Sequence, residues 1–285
     1  MMNIDALVNK HYGSGGLMEK IEAGLNLAGK DAHSLTVDDL APLDEFHTRG
    51  RESTLEVAEL ANLKASDLVL DVGCGLGGTA RHLAEQYKCH VVGVDLTEEY
   101  ISVGKKLTEL VGLSDRVELC QGSALEVPYE DRKFDVVWTE HVQMNIADKN
   151  RFYSEIARVL KPGGRLLFHD IFRGLGGPPF YPAPWAEDDS ISALATETEA
   201  RSIIEQVGLE IDQWIEKVQE SIESFKRVSA QIELDGTPPI GVHLLMGDNA
   251  KDKLQNYVRN LIEDRVSVAL GMAHKKGELW DETIG

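Results

Sequence analysis

The middle of the chain alternates between two patterns. From residue 65 to residue 172, short apolar runs ("DLVLDVG", "HVVGVDL", "VELCQGS", "FDVVWTE", "RLLFHDIF") are separated by stretches with helical spacing, such as "TARHLAEQY", "EEYISVGKKLTELVG" and "NRFYSEIARVL". Runs of this length that are apolar almost throughout belong to strands covered on both faces. Strand and helix in repetition build parallel pairs joined by right-handed crossovers. The expected fold is therefore α/β: a Rossmann-like, doubly wound, mostly parallel sheet of seven strands.

The flanks read differently. "IDALVNKHY", "LMEKIEAGLNLAG" and "PLDEFHTRGRESTLEVAELANL" read as helices and give an N-terminal helical cap over 1–62. A core spanning 63–218 follows, and its Gly-, Pro- and aromatic-rich loop at 173–195 is expected to overhang the substrate. Within it, "TETEARSIIEQVG" is a helix with Thr196 as its N-cap and Gly208 past its end, and "LEIDQWIEKV" alternates as a strand. Helical spacing over 219–233 and 250–264 gives a late helical insertion, 219–264, acting as a lid. "RVSVALGMAH" supplies a final strand within 265–276, and 277–285 reads as a frayed tail. Trp138 and Trp214 read as strand core residues, and Lys161–Gly164 as a turn between a helix and a strand.

Composition narrows the functions. The 285 residues carry a formal net charge of −19. Nucleic acid and anionic membranes attract cationic surfaces, so neither is an expected partner. No run approaches the roughly 18 apolar residues of a membrane span. The first residues lack a charged–apolar–small cleavage pattern. The cysteines at 74, 89 and 120 show no C-x-x-C spacing, so neither a disulfide nor a zinc site is expected. With no H-E-x-x-H pattern either, no metal is expected. A cytoplasmic protein acting on a small molecule fits these properties, and a homodimer is an assembly the sequence allows.

The glycine loop carries the first functional signal. "LDVGCGLGG" at 70–78 satisfies G-x-G-x-x-G through Gly73, Gly75 and Gly78. Such a loop lies beyond the C-terminal end of a strand, where open α/β sheets bind ligands. Asp71, at the strand's end, is a poor neighbour for two phosphates and a good one for a cationic amino-acid group. Asp95, ending the next run, suits two ribose hydroxyls in either kind of site. "QGSALEVPY" places Ser123 and Ala124 near an adenine edge, and "FDVVWTEHV" points Glu140 and His141 into the same crevice.

Together, Asp71-x-Gly73-x-Gly75-x-Gly77, Asp95, "FDVVW" and "VLKPGG" resemble the Rossmann-like S-adenosylmethionine-dependent methyltransferases over about residues 65–172. The helical cap and late insertion resemble the small-molecule branch, including sarcosine/dimethylglycine N-methyltransferases and menaquinone/ubiquinone-type C-methyltransferases. One departure is Ser123, where the family often has an acidic residue. The resemblance implies S-adenosyl-L-methionine as cofactor, S-adenosyl-L-homocysteine as product, and an in-line methyl transfer to a small acceptor. That acceptor is an amine such as sarcosine or dimethylglycine, or the site of a C- or O-methylation. A nicotinamide-dependent oxidoreductase and a non-catalytic cofactor-binding protein are the rival readings.

The expected cofactor residues are Tyr12, Arg51, Asp71, Gly73, Cys74, Gly75, Gly77, Asp95, Leu96, Ser123, Ala124, Glu140 and His141. Tyr12 either covers the cofactor or sits on the cap surface. Arg51 either grips a carboxylate or lies in a solvated helix start. His141 is the candidate catalytic base, the alternative being a positioning residue. The substrate group is His47, Asn145, Tyr181, Trp185 and His243. The two aromatics either shape the pocket or pack the loop, and His243 either reaches the pocket or fills the core.

Overall fold

The computed structural model describes residues 4–13, 15–31 and 34–277. Seven strands form one sheet: β1 Leu68–Val72, β2 His90–Asp95, β3 Val117–Gln121, β4 Phe134–Glu140, β5 Leu160–Arg173, β6 Leu209–Glu216 and β7 Val266–Lys275. Their spatial order is β3-β2-β1-β4-β5-β7-β6. The first five pair in parallel, and β7 runs antiparallel to both β5 and β6. The sequence order reverses beside β1, and that reversal opens a crevice at the strands' C-terminal ends.

Continuous apolar runs were the sign of burial on both faces, and successive residues do go to opposite sides. Leu70, Val72, Val94 and Val137 pack with Phe152 and Ile156 of α7 (Lys149–Val159) and with Ile204 of α8 (Glu197–Gln206). Val69, Val91, Val136 and Trp138 pack on the other side with Val57 of α4 (Arg51–Ala61) and Leu83 of α5 (Gly78–Tyr87). Thr196 closes a reciprocal capping box with Glu199 at the start of α8, and Gly208 follows its end at φ 88°.

Over the strand ends lie α1 (Ile4–Tyr12), α2 (Leu17–Leu27) and α3 (Val37–Asp44). Their apolar faces meet Tyr100 and Leu107 of α6 (Glu98–Leu110). Beyond β6 come α9 (Val218–Asp235), α10 (His243–Met246) and α11 (Ala250–Ile262). Ile222 and Tyr257 of this group pack on Trp185, Val266 and Val268.

Two local expectations change. Trp214 is half-buried rather than a core residue. Its ring lies against Phe168 and Phe172, the Arg201 guanidinium covers it at 4.3 Å, and its Nε1–H donates to Glu197 at 2.8 Å. β6 is an edge strand, so a cationic side chain and not the core covers one side of the ring. The Lys161–Gly164 segment is taken into β5, where Leu160 already pairs with Phe134 and the register shifts before Val136. The tail from 278 onward lies outside the described residues.

Candidate active site

The C-terminal ends of β1 to β4 open onto one cavity of 1710 Å³. A single small-molecule pocket runs to roughly 300–1,000 Å³, so there is room for two ligands together.

One half is built by β1, β2 and their loops. Asp71 is buried, and its Oδ2 has no hydrogen-bond partner. Burial, together with Glu140 and Asp95 nearby, pushes its carboxyl well above the usual carboxylate range. A carboxylate in that position calls for a cation. Gly73 turns away from it at φ 75°, where an added Cβ would sit 2.2 Å from a Val142 methyl. Asp95 is held at both oxygens, by the Gly75 N–H at 2.9 Å and the Thr97 N–H at 2.8 Å. Burial raises its pKa against those two bonds. Cys74, Leu96, Ser123 and Ala124 line the same half. Gly77 does not line the cavity. At φ 80° it leads into α5, and an added Cβ would sit 3.0 Å from a Leu119 methyl, so its part is to seat the loop on the sheet.

The second half centres on Glu140. Its Oε2 accepts from the Thr79 hydroxyl at 2.8 Å and lies 3.5 Å from His47 Nε2, while Oε1 lies 3.7 Å from His169 Nδ1. Burial works to raise its pKa, but the two imidazoles overrule it and hold the carboxyl down to about 2. His47 is oriented from behind by Ser53 Oγ at 3.1 Å. Among the described residues, His47, Glu140 and His169 are the group able to share a cation, with their donor atoms within 4.8 Å of one another. Two imidazoles and a carboxylate form a donor set that suits a transition metal. No sequence motif signals this group, because its members come from three distant segments.

His141 follows at φ 53° with its N–H on the His169 carbonyl at 2.8 Å. Its Nε2 faces the Thr48 N–H at 3.4 Å. Burial, then His169 and His47, push its pKa well below 6.5, so the ring is neutral. With Nε2 turned to a donor, the proton sits on Nδ1. The ring therefore presents a donor there, which speaks against the expected role of open base.

Tyr12 and Asn145 meet on the cavity wall. The Tyr12 hydroxyl donates to Asn145 Oδ1 at 3.0 Å, and Asn145 Nδ2 donates to the carbonyls of Trp185 and Ile191 at 2.8 and 2.9 Å. All of these amide contacts are internal, so Asn145 works as a post for Tyr12. Arg51 is on the wall but engaged. It pairs with Glu45 and with Asp38 at 3.2 Å, and it donates to His82 Nδ1 at 2.6 Å. Burial, then the Arg51 charge, holds His82 neutral, down to about 4. Trp185 is buried, with one edge on the wall and Nε1–H on Ser192 Oγ at 2.9 Å. Tyr181 packs edge-on against Trp185 and does not reach the cavity, because the loop folds inward and Trp185 takes that place. His243 lines the wall at the start of α10.

Several wall residues were not singled out from sequence: Thr48, Thr79, Tyr257, and the α9 side chains Phe225, Val228 and Ile232. Tyr257 shares a 2.6 Å hydroxyl contact with Thr48. His169 carried a legible signal, since it sits near the end of a central parallel strand. Thr79 directly follows the glycine loop, and the others come from segments with no motif.

Residues 70–168 match the family model of a methyltransferase domain. A glycine/sarcosine/dimethylglycine N-methyltransferase of Actinopolyspora halophila is 35% identical over 129 residues, covering 45% of this chain and 23% of that protein. A phosphoethanolamine N-methyltransferase 2 of Haemonchus contortus, solved with S-adenosyl-L-methionine, aligns with a TM-score of 0.74 at 21% identity, covering 97% of this chain and 60% of that one. A geranyl diphosphate C-methyltransferase of Streptomyces coelicolor A3(2), solved with Mg²⁺, geranyl diphosphate and S-adenosyl-L-homocysteine, aligns with a TM-score of 0.71 at 14% identity, covering 96% and 98%. These two likenesses are of fold. The matching part of the chain spans about a quarter of the length of the first curated relatives.

Proposed function

We propose, for a chain that carries a methyltransferase domain over residues 70–168, that it transfers a methyl group from S-adenosylmethionine to a small-molecule acceptor. The observation that carries this reading is Asp71, a buried carboxylate with a free oxygen at the cavity wall. A nicotinamide dinucleotide would bring its diphosphate to this glycine loop, beside that charge. An α-ammonium answers it.

When bound, S-adenosylmethionine supplies a methyl group on a sulfonium, open to displacement in line with the carbon–sulfur bond. The chain's residues bind, align and exclude water. Asp71 would hold the ammonium, Asp95 the ribose hydroxyls, and Ser123 with Ala124 the adenine edge. Tyr12, posted by Asn145, would close the site from above. Glu140 stays ionised and accepts bonds, and the neutral His141 donates from Nδ1. An amine acceptor needs no base once its lone pair is free, whereas a hydroxyl or carbon acid has Glu140 beside it.

The acceptor expected from the resemblance, a methylated glycine, carries a carboxylate. Each arginine on the cavity wall is already paired: Arg49 with Glu56, Arg51 with Glu45, and Arg227 with Glu52. That favours O- or C-methylation of an acceptor without a carboxylate. Calorimetry with S-adenosylhomocysteine and NAD side by side tests the cofactor, and labelled methyl transfer across an amine, a phenol and a quinol tests the acceptor. Binding of NAD in preference to S-adenosylhomocysteine would refute the reading.

A further inference from the structure

The outer wall of the cavity is a helix face that protein covers only at one end, where Phe225 meets Tyr257 edge-on. On α9, Phe225, Val228 and Ile232 recur at helical spacing and line the cavity. Val228 is 52% exposed and Ile232 36% exposed. Leu254 and Val258 of α11 and Leu245 of α10 line the same cavity. An apolar stripe of this kind normally packs on a core. Here it faces open cavity space, continuous with the half that holds Asp71 and Asp95.

Charge points the same way. Glu140, His47 and His141 stand at the inner end of the cavity, and the outer end carries the apolar stripe together with Arg227, Glu233, Asp248 and Lys251. The wall arginines are neutralised by carboxylates. Wall carboxylates, among them Asp38, Glu52, Asp148, Glu233 and Asp248, outnumber the wall cations, so an anionic acceptor is poorly matched. An acceptor with one polar group and a hydrocarbon body would match both ends.

Resting on the methyltransferase reading above, we propose that the acceptor is an uncharged amphiphile. Its alkyl, prenyl or aryl body lies between α9 and α11, and its single hydroxyl or acidic carbon lies at the Glu140 end. In the transfer, the acceptor atom gains the methyl, the sulfur keeps the electron pair of the broken bond, and the acceptor's proton passes to water.

The experiment is calorimetric titration of the full chain, saturated with S-adenosylhomocysteine, using 4-nonylphenol and farnesol as apolar probes and sarcosine and phosphoethanolamine as charged ones. The two apolar arms separate an aryl from a prenyl body. At least one apolar probe should bind at least about a hundredfold more tightly than either charged probe. Val228→Asp and Ile232→Asp should weaken that binding about tenfold or more. Both positions are exposed, and affinity for S-adenosylhomocysteine within about twofold of the parent reports that the fold is intact. Tighter binding of sarcosine or phosphoethanolamine, or apolar binding indifferent to both substitutions, overturns the proposal. Failure to bind S-adenosylhomocysteine at all would take down the underlying reading as well, whereas cofactor binding without apolar binding takes down this inference alone.

Discussion

Asp71 is stressed without a ligand and useful with one. Its oxygen lacks a partner, and its pKa is raised by burial. A raised carboxyl pKa means that ionisation costs stability, and that cost appears as pH climbs above the ordinary 3.8. Asp71→Asn should therefore stabilise the ligand-free protein by about 1 kcal/mol at neutral pH and weaken S-adenosylhomocysteine binding by about 1.5–3 kcal/mol. Thermal melts with and without ligand would show the opposite signs. Glu140 behaves in the reverse sense. Its value of about 2 lies below the ordinary 4.5, so its ionised form contributes stability above pH 4.5 that is lost as pH falls toward 2. Glu140→Gln should flatten that acid limb in a pH series of melts. His141, held well below 6.5, stays neutral throughout the physiological range. Its NMR titration should show no inflection above pH 6.5, and any pH dependence of turnover in that range belongs to another group. At this scale the strand-end carboxylates were legible, because position after an apolar run is readable. The sequence did not reveal that His141 faces Thr48, which comes from a separate segment, or that Arg51 is claimed by Glu45, since no local pattern announces that pairing.

Between elements, one buried cation organises the loop after β4. Lys149, at the start of α7, donates to the carbonyls of Gln143 at 2.5 Å and Ala193 at 2.6 Å, and to that of Ile146. Burial holds its pKa down to about 8. Asp170 answers from β5, accepting the N–H groups of Val142 and Gln143 at 3.4 and 3.2 Å. The pair fixes the segment that carries Asn145, and through it Tyr12. Lys149→Met leaves three carbonyls short of a donor and should cost about 2–4 kcal/mol, read as a lowered denaturation midpoint with an unchanged slope. The parallel strands were legible because burial on both faces leaves an unbroken apolar run. Trp214 misled because an aromatic in an alternating pattern looks the same on an edge strand as in the centre. The α9 stripe was legible as helix but not as cavity wall, since periodicity does not name what a face meets.

The whole molecule carries 48 acidic against 29 basic side chains. Many are paired on the surface, and the excess repels itself. Raising salt from 0.05 to 0.5 M should raise the melting temperature by a few degrees through screening, and an unchanged or lower value would count against net repulsion. Among the described residues, no helix is long and apolar enough to cross a membrane. Ligand closure acts at this scale too. S-adenosylhomocysteine at about a hundred times its dissociation constant should add about 2.7 kcal/mol to unfolding.

Residues 266–275 are the last strand in chain order, yet they lie inside the sheet, between β5 and β6. During synthesis on the ribosome, the flank of β5 therefore waits unsatisfied until β6 and the helices after it have emerged, and β6 has nothing to pair with. A nascent chain halted before residue 266 should expose a bare sheet edge, bind chaperones and resist release as native protein. Once β7 slots in, both neighbours lock in one step, so maturation of this sheet is timed by β7 and not by the glycine-loop half made first.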